Sequence, residues 1–134
     1  MLLTKASEYA LLSILYLSGK QEPFDVESLS ANLSISRSFL AKILQKLTKA
    51  GLLNSYKGVK GGFVVARDTA HISVLDIIRA VEDNPATVFE CTGEEGACPS
   101  NNATMCSIWP ILGKLQVKID DFLSQVTLQD ILAK

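Results

Sequence analysis

The stretch LSANLSISRSFLAKILQKL, residues 29–47, decides the fold. Val26, Leu29 and Leu33 recur at helical spacing, and Asp25 just ahead of them can accept the free amides of a first helical turn. The pattern breaks at Ser34–Ile35 and restarts behind a second cap candidate, Ser36. From Arg37 to about Ala50, one face collects Leu40, Ile43, Leu44 and Leu47, and the other Arg37, Ser38, Ala41, Lys42, Gln45, Lys46 and Lys49, with Gly51 to end the helix. Two short helices meet at a tight turn, and the second is apolar on one side and cationic on the other. That is a helix the major groove of DNA accepts.

The flanks extend this motif. Upstream, Ala6, Tyr9, Ala10, Ile14, Leu15 and Leu17 mark a helix over residues 4–18, followed by Gly19. Downstream, Leu52–Tyr56 and Phe63–Ala66 read as short strands around KGVKGG, residues 57–62, whose glycines suit a hairpin. The hairpin lacks the GxxxxGK[ST] pattern and opens no helix, which argues against a nucleotide phosphate loop. It is a wing, with Lys57 and Lys60 placed to reach phosphates or the minor groove. Ser73, with Asp76 three residues on, opens a further helix that runs to Asn84–Pro85. Residues 86–105 have no periodicity, and a loop of that length in a small domain is usually functional or disordered. The last long helix, about Ser107 to Gln125, carries Ile108, Ile111 or Leu112, Leu115, Ile119, Phe122 or Leu123, and Val126 along a seam suited to a second copy of the chain. Thr127 can cap a final turn, Leu128–Ala133. The expected architecture is mainly α with a small β-hairpin: a winged helix-turn-helix over residues 1–83, a cysteine-bearing loop over 84–106, and a dimerisation helix with a terminal turn over 107–134.

Charge points the same way once its distribution is considered. The chain of 134 residues has a net charge of −1, which by itself does not suggest a polyanion partner. Between Ser28 and Arg67, however, stand Arg37, Lys42, Lys46, Lys49, Lys57, Lys60 and Arg67 and no acid. Solvated faces usually mix signs, so this segregation points to a surface for DNA or RNA, and the helix-turn-helix makes double-stranded DNA the expected partner. Apolar runs fall far short of the roughly 20 residues of a membrane span, and the N-terminus has no secretory pattern, so the expected location is the cytoplasm. Enzymatic chemistry finds little support. The single histidine, His71, lies in a turn context, and the acid pairs Glu94–Glu95 and Asp120–Asp121 are sequence neighbours rather than a facing pair.

All three cysteines, Cys91, Cys98 and Cys106, fall in or at the edge of the long loop, among Gly93, Gly96, Pro99, Ser100, Asn101 and Asn102. Three thiols cannot all pair with one another, and in a reducing cytosol such a cluster favours metal binding or redox chemistry. Thiolates suit zinc and iron–sulfur centres, both of which normally take four protein ligands. Spacing alone leaves iron–sulfur, zinc and inert or redox thiols open.

The order of elements, with MLLTKASEYALL (1–12), the helix-turn-helix of 29–47, KAGLL (49–53), GVKGGFVVAR (58–67), ISVLDIIRAVE (72–82) and the three-cysteine loop, closely resembles one bacterial winged-helix family. It is the family of transcription regulators that contains the iron–sulfur assembly repressor IscR and the nitric-oxide-responsive repressor NsrR. The resemblance covers essentially the whole chain. It implies a homodimeric repressor joined through the long helix, with a two-iron or four-iron cluster held by Cys91, Cys98, Cys106 and one further ligand. In NsrR-like members that ligand is an acid in the first helix of the opposite subunit, and Glu8 occupies the matching position. IscR-like members use a histidine three residues after the last cysteine, where this chain has Trp109. The gaps of six and seven residues between the cysteines are longer than the family's compact spacing. The DNA contacts implied by the winged helix are Arg37, Ser38, Lys42 and Lys46 on the recognition helix and Lys57 and Lys60 on the wing.

Overall fold

The computed structural model describes residues 4–83, 87 and 107–133; Cys91, Cys98 and Cys106 lie outside the described residues. The chain folds as α1 (Lys5–Ser18), α2 (Val26–Leu33), α3 (Arg37–Lys49), β1 (Leu53–Tyr56), β2 (Gly62–Val65), a short 3-10 turn (Thr69–His71), α4 (Val74–Val81), α5 (Trp109–Gln125) and α6 (Leu128–Leu132).

Helix starts follow local chemistry. The Thr4 hydroxyl accepts from the Ser7 amide at 3.3 Å, and the Asp25 carboxylate from the Ser28 amide at 3.0 Å. Ser73 and Asp76 form a reciprocal capping box, and Thr127 and Asp130 form another. Ser36 behaves differently from the expectation. It occupies the N-cap position of α3, yet its hydroxyl caps no amide and instead meets the Ser38 hydroxyl at 3.2 Å. The tight turn between α2 and α3 is made by Ser34 in the left-handed region, φ 56°. Gly51, at φ 81°, takes the same region just past α3, where a side chain would be strained.

One core holds these elements together. Ala10, Ile14 and Leu17 of α1, Leu29 of α2, Leu40, Ile43, Leu44 and Leu47 of α3, and Ile77 and Val81 of α4 are all buried in one cluster. Helix α1 packs on α3 and α4, and α2 packs on α3, so α3 is fixed along its apolar side. Val26 and Leu33 are only half-buried at the edge of this cluster, whereas Ile35 in the turn is buried at 5% exposure.

Strands β1 and β2 form an antiparallel hairpin in which Leu53 faces Val65 and Tyr56 faces Gly62. Phe24 adds a single bridge to the outer side: its amide donates to the Phe63 carbonyl at 3.0 Å, and the Phe63 amide returns the bond at 2.9 Å. This close approach explains Gly62. A Cβ there would lie 2.5 Å from the Phe24 carbonyl carbon, and its φ is 144°. The wing is thus pinned to the segment that leads into α2.

The C-terminal part behaves as two pieces. Helix α5, about 25 Å long at 1.5 Å per residue, packs on α4 but buries only Gln116 fully among its described residues. Ile111 is 65% and Phe122 66% exposed, and Ile108, Leu115 and Val117 are exposed as well. Past Val126 the chain returns to the winged helix. The Val74 amide donates to the Val126 carbonyl at 2.9 Å, the Leu128 amide to the Ile72 carbonyl at 3.0 Å, and Leu128 is completely buried in the main core. Among the described residues, no helix is long and apolar enough to cross a membrane.

Candidate nucleic-acid interface

Helix α3 presents the face that the sequence suggested. Leu40, Ile43, Leu44 and Leu47 are turned into the core, which leaves Arg37, Ser38, Lys42, Gln45 and Lys49 exposed. Arg37 stands 3.5 Å from Glu27 on α2, with both side chains largely in water. An exposed pair of this kind contributes at most about 1 kcal/mol, so Arg37 can exchange Glu27 for a phosphate at small cost. Lys42 makes no ion pair with a described residue. A shallow cleft of about 510 Å³ opens beside Arg37 and Ser38, lined also by Val26, Ser36 and Ala41.

On the wing, Lys57 and Lys60 are exposed and likewise unpaired among the described residues. Val59 between them projects entirely into solvent. The recognition helix and the wing therefore offer two separate sets of cations, both on rigid supports: α3 through its buried face, the wing through the Phe24–Phe63 bridge.

Lys46 is placed differently. Its ammonium group donates to Asp83 at 2.7 Å and to the Val81 carbonyl at 3.3 Å, both at the exit of α4. Asp83 and its neighbour Glu82 did not stand out in the sequence, although a signal was present. Acids at a helix C-terminus oppose the macrodipole, and two in succession there call for partners elsewhere. Glu82 finds them on α1, where the Thr4 and Ser7 hydroxyls both donate to one of its carboxylate oxygens. Ser7 is fully buried, so this carboxylate satisfies a hydroxyl that water cannot reach.

Glu8 lies one residue further along that helical turn. Its side chain is 55% exposed, and among the described residues its carboxylate pairs with the ammonium of Lys5 alone, at 3.3 Å. Lys5 in turn sits 5.7 Å from the centre of the Tyr9 ring, and Tyr9 meets Phe39 of α3 edge-on at 5.6 Å between ring centres. Phe39 is a third residue that sequence periodicity passed over; its ring links the first turn of α3 to α1. Among the described residues, no group of three or more histidines, cysteines and acids is gathered in a way that could hold a metal ion. Asp25 has its carboxyl held below the ordinary value, first by the Ser28 amide and then by the Ser28 side chain.

Comparison with known proteins places this arrangement. Residues 3–134 match the model of the Rrf2 family, described as an iron-dependent transcriptional regulator. IscR of Vibrio cholerae is 32% identical over 134 residues, covering 98% of this chain and 75% of the relative, and IscR of Xenorhabdus nematophila is 29% identical over 133 residues, covering 98% and 79%. Among solved structures, CymR (YrzC), the global cysteine regulator of B. subtilis, superimposes with a TM-score of 0.71 at 25% identity, covering 98% of this chain and 95% of that one. IscR of T. potens has the same fold, with a TM-score of 0.76 at 24% identity and coverage of 98% and 85%.

Proposed function

The chain belongs to the Rrf2 family of transcriptional regulators, and we propose that it is a homodimeric repressor whose hold on double-stranded DNA is set by an iron–sulfur cluster. That it is a DNA-binding regulator rather than an enzyme follows from the family and from its IscR relatives. The observation that carries the DNA contacts is the exposed cationic surface of α3 and the wing within an acid-free stretch, where Lys42, Lys57 and Lys60 make no ion pair with a described residue. Arg37, Ser38 and Lys42 are set to reach base edges and phosphates in the major groove, while Lys57 and Lys60 engage the backbone or minor groove.

A second copy of the chain is the proposed partner of α5. Its exposed Ile108, Ile111, Leu115 and Phe122 form an apolar strip that the protomer itself does not cover, and two winged helices joined there would read two half-sites. Such a regulator acts in the cytoplasm, where the chromosome is.

The cluster reading rests on the chemistry of the donors. Three thiolates, Cys91, Cys98 and Cys106, supply soft ligands, and a fourth is required. Glu8 suits that role because its carboxylate is exposed and held only by a solvated lysine, so a ligand role breaks no buried interaction. Bound by these four residues, the cluster would supply a centre reactive toward oxidants and nitric oxide. Glu8 stands on the helical turn whose Thr4 and Ser7 grip Glu82, and Tyr9 on the same helix abuts Phe39 of α3. A change in how Glu8 is held therefore has a packed route to the recognition helix.

A second reading, a regulator that holds zinc or no metal, is favoured by the gaps of six and seven residues between the cysteines, longer than the family's compact spacing. Anaerobic purification followed by iron, acid-labile sulfide and zinc analysis separates the two. Brown protein with iron and sulfide, and loss of both in Glu8→Ala, is the expected result. Colourless protein, or protein with stoichiometric zinc, removes the cluster from the account and leaves the DNA-binding assignment intact.

A further inference from the structure

The exit of α4 carries a contact that DNA binding by itself does not require. Glu82 and Asp83 are consecutive, yet they grip different helices: Glu82 takes the Thr4 and Ser7 hydroxyls at the start of α1, and Asp83 takes the Lys46 ammonium on the last turn of α3. The Val81 carbonyl, one residue earlier, accepts a second bond from the same ammonium at 3.3 Å. Three helices are thereby tied at one corner, beyond the reach of the shared apolar core. Lys46 also differs from the other cations of α3 in its surroundings. It is half-buried while Lys42 and Lys49 are exposed, and both of its bonds point back toward α4.

We propose that Lys46 is a positioning residue: through Asp83 and the Val81 carbonyl it sets how α3 lies against α4, and it acts on DNA only by orienting the recognition helix. Unlike Arg37, whose one exposed acid is easily exchanged, Lys46 also bonds a backbone carbonyl, so turning to a phosphate would give up two contacts within the fold. Glu82 completes the clasp by fixing the same corner to α1. The clasp is also where the chain leaves the winged helix toward Cys91, so the corner that positions α3 is the covalent start of the cysteine-bearing segment.

The inference rests on α3 being the recognition helix, and a duplex-binding cycle tests it separately from that reading. Operator duplex recovered by selection from host genomic DNA, and a scrambled duplex of equal length, are titrated with the wild-type chain, Lys46→Gln, Asp83→Asn, the double variant, and the exchanged pair Lys46→Asp with Asp83→Lys. Each single variant is expected to weaken operator binding by about two- to fivefold, the range of one exposed ion pair. The double variant should be no weaker than either, the exchanged pair should recover most of the loss, and the dependence of affinity on salt should stay parallel to wild type. Lys46→Gln with a shallower salt dependence, about 0.9 per site lost from the slope, combined with unimpaired binding by Asp83→Asn, would overturn the proposal and make Lys46 a phosphate contact. Unchanged affinity in every variant would overturn it too. Failure of the recognition-helix reading has a different signature, wild-type protein that binds operator and scrambled duplex alike.

Discussion

Replacing Lys42 by Gln isolates one proposed phosphate contact. The side chain is exposed on the outer face of α3 and forms no ion pair with a described residue, so its removal disturbs neither the core nor a surface bridge. Each neutralised phosphate on B-DNA releases counterions that contribute about 0.9 to the slope of log affinity against log salt. A dimer loses two such contacts, so the slope should fall in magnitude by roughly 1.8. Over a fourfold rise in salt the wild-type protein should then lose about 12-fold more affinity than the variant, since four raised to the power 1.8 is about 12. Fluorescence anisotropy with a labelled duplex over a salt series reads this directly, and any duplex serves because the term is independent of sequence. Lys118→Gln, an exposed cation on α5, is the control and should leave the slope unchanged. Parallel slopes for Lys42→Gln and wild type would show that α3 does not meet the backbone at Lys42.

Other outcomes follow from the packing and the caps. Leu128→Ala removes a fully buried side chain from the main core and should cost about 3 kcal/mol, lowering the thermal midpoint by roughly 10 °C; a change under about 1 kcal/mol in urea titration would mean that α6 does not close that core. Phe122→Glu, on the exposed strip of α5, should convert dimer to monomer in sedimentation equilibrium while leaving the helical circular dichroism in place, and a persistent dimer would move the interface elsewhere. Asp25→Ala should lower stability at neutral pH. Because the folded carboxyl is held below its ordinary value, the cap's contribution is present above the unfolded pKa and fades as pH falls through the folded one. The midpoint gap to wild type should therefore shrink as the solution is acidified below the ordinary carboxylate range, and a constant gap would mean that the carboxylate is not the cap.

The fold was legible wherever local chemistry decides it. The caps at Asp25, Ser73 and Thr127, the stop at Gly51 and the buried face of α3 all follow from side chains within one helical turn of each other. Ser36 looked equivalent, but its hydroxyl had a nearer partner in Ser38, a choice that composition does not reveal. The return of α6 was not legible either. Five residues are too few for a periodic signal, and the hydrogen bond from Leu128 to Ile72 spans 56 positions in the sequence. On the proposed DNA face, acid-free charge and helical periodicity picked out Arg37, Lys42, Lys57 and Lys60, and these are exposed because exposure follows from the pattern of the buried side. They could not separate Lys46 from its neighbours, since its partner Asp83 lies 37 positions away, just past the end of α4. For Cys91, Cys98, Cys106 and Glu8 the sequence supplies donor chemistry and family likeness alone, because residues this far apart in the chain meet only through tertiary or intersubunit packing.

If a cluster held by these four residues controls affinity for DNA, removing it must change how tightly the protein binds its operator. Anaerobically prepared protein, analysed for iron and sulfide, is titrated against its selected operator before and after the cluster is removed by chelation under oxidation, with Glu8→Ala alongside. The account predicts iron and sulfide in the wild-type protein and an affinity that changes by a factor on the order of 5 to 150 on removal, the range of 1–3 kcal/mol typical of allosteric coupling, with neither effect in Glu8→Ala. Equal affinity in both states, or operator binding by protein that never holds iron, would contradict it.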